Sequence, residues 1–203
     1  MQGLPQLILA SSSPRRRKLM QEYGYEFEVI EPDPMAECGI CSRETPPEMV
    51  ARLAYQKAAD IAKQVPGVLQ GKQFDSAIVI GCDTVAECMG TILGKPKNVE
   101  HAREMMRLLR GREHHVYSGL CVWLRPGEER HVEVDVTKLT METLPDDRIE
   151  EYLETGGWEG KAGGFGFQDD LGWIRILEGS PSNVVGLPME RLAAMLEKLP
   201  ARR

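Results

Sequence analysis

The run Ser76-Ala77-Ile78-Val79-Ile80-Gly81 constrains the fold more than any other stretch of the chain. It is apolar without alternation and sits between Asp75 and the glycine that closes it. A strand with one wet face would alternate, so this one reads as a central strand covered on both sides, the mark of an α/β fold. The segments around it alternate in the same sense. Leu7 to Ala10 reads as a strand, Pro14 to Tyr23 as a helix and Phe27 to Ile30 as a second strand. Pro32 to Pro47 reads as an irregular loop and Gly67 to Gln73 as another. Between them, Val50, Leu53, Ala54, Ala58, Ile61, Ala62 and Val65 recur at helical spacing, giving a helix from about Glu48 to Val65. Asn98 is a fitting N-cap for a helix running to about Arg110, with Gly111 just past its end. Val116 to Leu124 and Val132 to Thr140 read as long strands joined through Arg125-Pro126-Gly127. A short helix carries Ile149, Tyr152 and Leu153, a strand follows at Trp173 to Leu177, and a last helix starts near Pro188. The hairpin pair is antiparallel, so the expectation is an α/β domain with a mixed, twisted sheet flanked by helices.

The N-terminal segment Leu7-Ile8-Leu9-Ala10-Ser11-Ser12-Ser13-Pro14-Arg15-Arg16-Arg17 reads as strand, hydroxyl-rich turn and helix start. Ser13 suits the N-cap and Pro14 the first helical position. Three arginines at that end oppose the helix dipole unless an anion compensates them. Free N–H groups, hydroxyls and guanidinium forks at a helix start make a phosphate site. The competing account is a solvated basic patch on an ordinary helix.

At 203 residues the chain is long enough for a substantial core, and one domain spanning 1–203, with two lobes, is expected. A net charge of -6 speaks against a duplex nucleic-acid binder, whereas a local basic pocket in an acidic protein suits a small anionic ligand. No run has the length of a membrane span and no signal peptide is visible. Five scattered cysteines fit a reducing cytoplasm better than a disulfide framework. The lone pair Cys38 and Cys41 has no second pair to complete a zinc site, and reads as two thiols in a loop.

Further along, Gly81-Cys82-Asp83-Thr84 follows the central apolar run, where α/β sheets gather ligands. Asp83 there holds a divalent ion, orients a water, or simply caps a turn. Lys95, in Gly94-Lys95-Pro96, is either a placed cation or a surface lysine. Lys57 interrupts the small-residue face of Ala54, Ala58 and Ala59, either exposed or reaching into a cleft. Gly160-Lys161-Ala162-Gly163-Gly164-Phe165-Gly166-Phe167-Gln168 is rich enough in glycine to bring backbone close to a ligand, with Gln168 able to read a base edge. A flexible surface loop is the other account of it. Gly179 to Pro188 reads as a turn into the last helix, and His114 as a structural residue in a loop before a strand.

Taken in order, the serine-arginine turn, the Leu53-Ala54-Tyr55-Gln56-Lys57-Ala58 run, the Asp83 and Lys95 motifs, Gly111 to Gly119, Lys161 to Gln168 and Ser182 to Pro188 resemble the Maf family over Leu7 to about Leu196. That resemblance implies a nucleoside triphosphate pyrophosphatase that uses a divalent cation, Mg²⁺ or Mn²⁺. It implies an α/β fold similar to inosine triphosphate pyrophosphatases, with a cleft between two lobes, and a homodimer. Asp83 maps to the proposed base. Arg15, Thr84 and Gln168 map to positions that separate a dTTP/UTP branch from a 7-methylguanosine triphosphate branch, and this chain follows the first. Ser11, Ser13, Arg16, Lys57, Lys95 and Lys161 supply the remaining phosphate contacts. A second carboxylate and metal ligand, with Asp83, is expected after the second strand, at Glu37 or alternatively Asp33. Cys82, Phe167 and Pro181 depart from the family pattern, which has alanine, isoleucine and an aromatic there. The family name comes from a role in septum formation, so a nucleotide-binding regulator of cell division is the rival of another class.

Overall fold

The structure is a computed structural model and describes residues 5–36, 43–169 and 172–199. Its elements in chain order are β1 (Gln6–Ala10), α1 (Pro14–Glu22), β2 (Phe27–Ile30), α2 (Pro46–Ala62), β3 (Gly67–Leu69), β4 (Lys72–Phe74) and β5 (Ala77–Cys88). There follow β6 (Thr91–Leu93), α3 (Val99–Leu109), β7 (Glu113–Arg125), β8 (Arg130–Met141), α4 (Asp146–Glu154), β9 (Ile174–Glu178), α5 (Pro181–Val185) and α6 (Met189–Glu197). The main sheet has the order β2-β1-β5-β7-β8-β9, with β6 also paired to β5. It is mixed: β1 lies parallel to β2 and to β5, while β6 and β9 run antiparallel to their neighbours. The α/β class with a mixed sheet and flanking helices is therefore as the sequence predicts.

Two compact units emerge. The first holds the chain up to Asp83, residues 118–135 and the chain from Gly186 on; the second holds residues 84–117 and 136–185. In the first unit the parallel register runs Leu7↔Phe27 and Leu7↔Ile78, and ends at Ala10↔Gly81. Helix α2 lies flat against these strands because two glycines let it. A Cβ at Gly81 would overlap the Ala54 carbonyl and approach the Ala58 nitrogen to 2.8 Å. A Cβ at Gly119 would run into the Val50 backbone. Ile8, Ala10, Ala54, Ala58, Ile61, Phe74, Val79 and Cys121 fill the core beneath.

The second unit packs α3 and α4 over its strands. Its core joins Met105, Met106, Leu109, Val116, Leu139, Met141, Phe165 and Trp173. Asn98 caps α3 by accepting the His101 N–H at 2.9 Å, and Gly111 takes the left-handed conformation that follows, at φ 68°.

Several elements differ from the sequence expectation. Helix α2 starts at Pro46 because the two prolines fill its first turn and Glu48 folds back onto Thr45, accepting its N–H at 2.9 Å. The expected loop at Gly67 to Gln73 is the ribbon β3–β4, whose strands of three residues are too short for alternation to register. The central strand does not stop at Gly81 but continues to Cys88, so Asp83 and Thr84 lie within β5. Its parallel stretch does end at Gly81, and polar side chains interrupt the apolar run from there. His114 is inside β7, not in a loop, and is buried. The turn before the last helix contains α5, with Pro181 at its first position, a place proline fits without loss. Buried Asn183 anchors this helix, donating to the Val116 carbonyl at 3.2 Å and the Thr137 hydroxyl at 2.9 Å.

Candidate active site

Helix α1 begins as the sequence predicts. The Ser13 hydroxyl accepts the Arg16 N–H at 3.5 Å, and Pro14 occupies the first helical position. The turn is cross-braced: the Ser11 hydroxyl accepts the Ser13 N–H at 3.1 Å and the Arg16 Nη1 at 3.4 Å. The first turn of the helix carries no acidic side chain. Arg15 and Arg16 are half-buried, whereas Arg17 is exposed. Arg16 has a firm internal anchor, since its Nε donates to the Gly186 carbonyl at 2.7 Å. The Cys82 thiol donates to the same carbonyl at 3.3 Å. Gly186 thus ties the serine-arginine turn to the residue before Asp83, and Ser11 and Cys82 each follow directly on the last β1–β5 pair, Ala10↔Gly81.

Lys57 lies in mid-helix, yet it is buried. The close approach of α2 over Gly81 sends its ammonium along the strand to Asp83, where Nζ donates to Oδ1 at 2.6 Å. The Cys82 carbonyl lies 3.5 Å from the same nitrogen. Both side chains are largely out of solvent, at 8% and 14% exposure. A pair so placed is held firmly, because losing either partner would strand a charge in a poorly solvated place. Oδ2 of Asp83 meets no donor among the described residues. The carboxylate is thus aimed by one oxygen and presented by the other.

In the second unit, Lys95 and Lys161 belong to loops that the backbone joins: the Gly163 N–H donates to the Gly94 carbonyl at 3.1 Å. Gly163 and Gly164 both take φ 73°, which only glycine adopts readily. The loop body is pinned by the buried Phe165 ring, edge-on to His114 at 5.5 Å, and by the Gly166 N–H on the Tyr152 hydroxyl at 3.1 Å. Burial pushes the His114 imidazole down to about 4, so it is neutral and structural rather than an acid. Lys95 and Gln168 are exposed, and Thr84 is half-buried on β5. Lys161 is ion-paired with Asp169.

A family model described as Maf-like protein matches residues 6–199 of the chain. The chain belongs to the Maf family. Among its relatives, a dTTP/UTP pyrophosphatase of Rhodopirellula baltica is 53% identical over 94% of this chain and 81% of its own length. The dTTP/UTP pyrophosphatase of Pelotomaculum thermopropionicum is 39% identical over 96% of this chain and 97% of its own. That of Dictyoglomus thermophilum is 37% identical over 96% of each.

Within this Maf-family chain the two expected second carboxylates fare differently. Glu37 lies outside the described residues, as do Cys38 and Cys41. Asp33 is engaged within its own loop. Its Oδ1 accepts the Met35 N–H at 2.8 Å in a 3-10 turn, while its own N–H donates to Asp60 at 2.8 Å. Among the described residues no three His, Cys, Asp or Glu side chains cluster as a metal cage. That is compatible with Mg²⁺ or Mn²⁺ chemistry, because such ions sit on one or two carboxylates and take their remaining ligands from phosphates and water. Asp83 offers a hard oxygen of that kind. Sequence reasoning missed two partner residues, one in each unit. Asp60 fixes the loop after β2, and Asp169 holds Lys161. Each is an ordinary carboxylate in the sequence, and only the fold reveals its partner.

Proposed function

We propose that this protein hydrolyses dTTP and UTP to the nucleoside monophosphate and pyrophosphate, acting in the cytoplasm to clear triphosphates from the pool. The observation that carries the reading is the pair of buried Lys57 and half-buried Asp83 at the end of the parallel strands, beside Cys82, which Gly186 ties to a helix start rich in arginine. The names and identity of the relatives support the pyrimidine substrates, as do Arg15, Thr84 and Gln168.

In this mechanism Asp83 takes the proton of a water as that water's oxygen bonds to the α-phosphorus. The bond from that phosphorus to the bridging oxygen breaks, and pyrophosphate leaves with the electron pair. Lys57 keeps the carboxylate in the orientation that presents its second oxygen. The α1 amides, Ser11, Ser13, Arg15 and Arg16 bind phosphate, with Lys95 and Lys161 as further cations, since stabilising charge on a phosphoryl group is chiefly electrostatic work. Thr84 and Gln168 select the base, the glutamine pairing a donor and an acceptor with a pyrimidine edge. Asp83, with Glu37, would hold a Mg²⁺ or Mn²⁺ ion, which when bound neutralises phosphate charge and acidifies water.

The test is product analysis with dTTP in ¹⁸O-water. The expected result is one pyrophosphate per nucleotide, with the label in the monophosphate. Orthophosphate as the product would place the attack on the γ-phosphorus and overturn the reading.

A further inference from the structure

The Lys161–Asp169 pair has a geometry that the glycine-rich loop is built to accommodate. The lysine Nζ donates to Asp169 Oδ2, with side-chain exposures of 13% and 29%. Both charged ends lie directly over Gly166, so that a Cβ there would overlap each of them. Gly166 does not need a left-handed backbone; the ion pair occupies the space where a side chain would begin, and a Cβ there would make its two flexible ends shift. The rest of the loop is fixed independently. The Gly164 N–H donates to the Lys161 carbonyl at 3.0 Å and the Asp169 N–H to the Gly166 carbonyl at 3.2 Å. Gly163 and Gly166 are held from outside by Gly94 and Tyr152. The pair is thus not needed to hold the loop together.

A cation meant for a phosphate is therefore already occupied by a carboxylate of its own loop. An incoming phosphate and Asp169 are like charges competing for one ammonium, and they repel when both are near it. We propose that Asp169 is an internal counter-ion that sets how much negative charge a ligand must bring to gain Lys161: a triphosphate displaces it, and weaker anions such as the reaction's products do not. This rests on Lys161 being a substrate cation, as proposed above. The apparent affinity for any anion is then reduced by the fraction of molecules in which Lys161 is released. Asp169 does not touch the reacting atoms in this account. It acts through Lys161, as a residue that sets affinity and selectivity.

The experiment measures steady-state kinetics with dTTP, and competitive inhibition by inorganic pyrophosphate, for wild type, Asp169→Asn, Asp169→Ser and Asp169→Glu. Removing the carboxylate is expected to lower KM for dTTP roughly three- to tenfold, as for a released conformational constraint. The inhibition constant of pyrophosphate should fall at least as much, while kcat moves less than KM. Asp169→Glu, which keeps the charge, should behave like wild type. A merely structural carboxylate would give the opposite sign, a KM that rises with the loss of the loop's shape. An unchanged or raised KM in both neutral variants overturns the proposal. Lys161→Met is the control on its premise. If that variant binds dTTP as wild type does, Lys161 is not a substrate cation and the assignment under the proposed function falls. If it binds at least tenfold more weakly while the Asp169 variants show no gain, only the counter-ion role falls.

Discussion

Lys57 and Asp83 are 26 positions apart in the chain and meet through one hydrogen bond of 2.6 Å. Their mutual dependence sets the expected pattern of substitutions. Asp83→Asn keeps the shape but accepts no proton, and turnover should fall by about 10²–10⁴-fold. Lys57→Met removes the group that aims Asp83 and leaves its carboxylate half-enclosed without a counter-charge. It should lower kcat and also destabilise the fold by several kcal/mol, of the order of 3. Single-turnover rates and urea melts of the two variants check both effects. A folded Asp83→Asn enzyme turning over at the wild-type rate with saturating metal would remove Asp83 as the base. His114 makes a separate prediction at this scale. Burial lowers its folded value to about 4 from an ordinary 6.5. Above pH ~6.5 the imidazole is neutral whether the chain is folded or not, so it adds no pH dependence there. As pH falls from about 6.5 toward 4, only the unfolded chain takes the proton, and the folded state loses up to roughly 3 kcal/mol. A His114→Phe variant should show a flatter loss of stability across that window, as read by urea melts at a series of pH values.

At the scale of elements, the approach of α2 to the sheet decides where Lys57 points. Gly81→Ala puts a methyl group into the Ala54 carbonyl and against Ala58. The helix must lift, at a cost of about 1–3 kcal/mol for overpacking. Turnover should drop as well, although residue 81 carries no reactive group; calorimetry together with kcat separates the two losses. This contact also shows what the sequence can and cannot convey. The apolar stripe of α2 was legible because burial imposes helical spacing, and the cap of α3 because Asn98 and Gly111 mark the two ends of one helix. Gly81 was legible only as a strand end. Its other duty, admitting a helix backbone, depends on an element some twenty residues earlier in the chain. The continuation of β5 beyond Gly81 was hidden for a related reason: Asp83, Thr84 and Glu87 carry polar side chains that break the apolar run while the backbone pairing goes on. The Asp83, Lys95 and Lys161 motifs stood out as local strings, and their partners did not. The Gly94–Gly163 backbone bond and the Lys161–Asp169 pair use groups that any sequence possesses.

On the scale of the whole molecule, the two units are threaded by the chain in five stretches, three in the first and two in the second. Strands β5, β7 and β8 each contribute to both. No single cut separates one unit's share of the chain from the other's. Unfolding in urea should therefore be one cooperative transition. The tryptophans offer a direct check, since Trp123 belongs to the first unit and Trp158 and Trp173 to the second. Variants that retain only Trp123, or only Trp173, should report the same midpoint and the same slope. Separate midpoints would mean that the units melt independently in spite of their shared strands.

Arg16 reaches across 170 positions of chain to the carbonyl of Gly186. Read as an order of manufacture, this bond puts an early-made part of the proposed site in the custody of one made much later. A growing chain carries the serines, all three arginines, Lys57 and Asp83 long before the carbonyl that steadies Arg16 has been made. The serine-arginine turn gains this brace only when synthesis has run 170 residues past Arg16. A chain cut short of Gly186 would thus hold the charges of the proposed site without this alignment, and should not hydrolyse nucleotides.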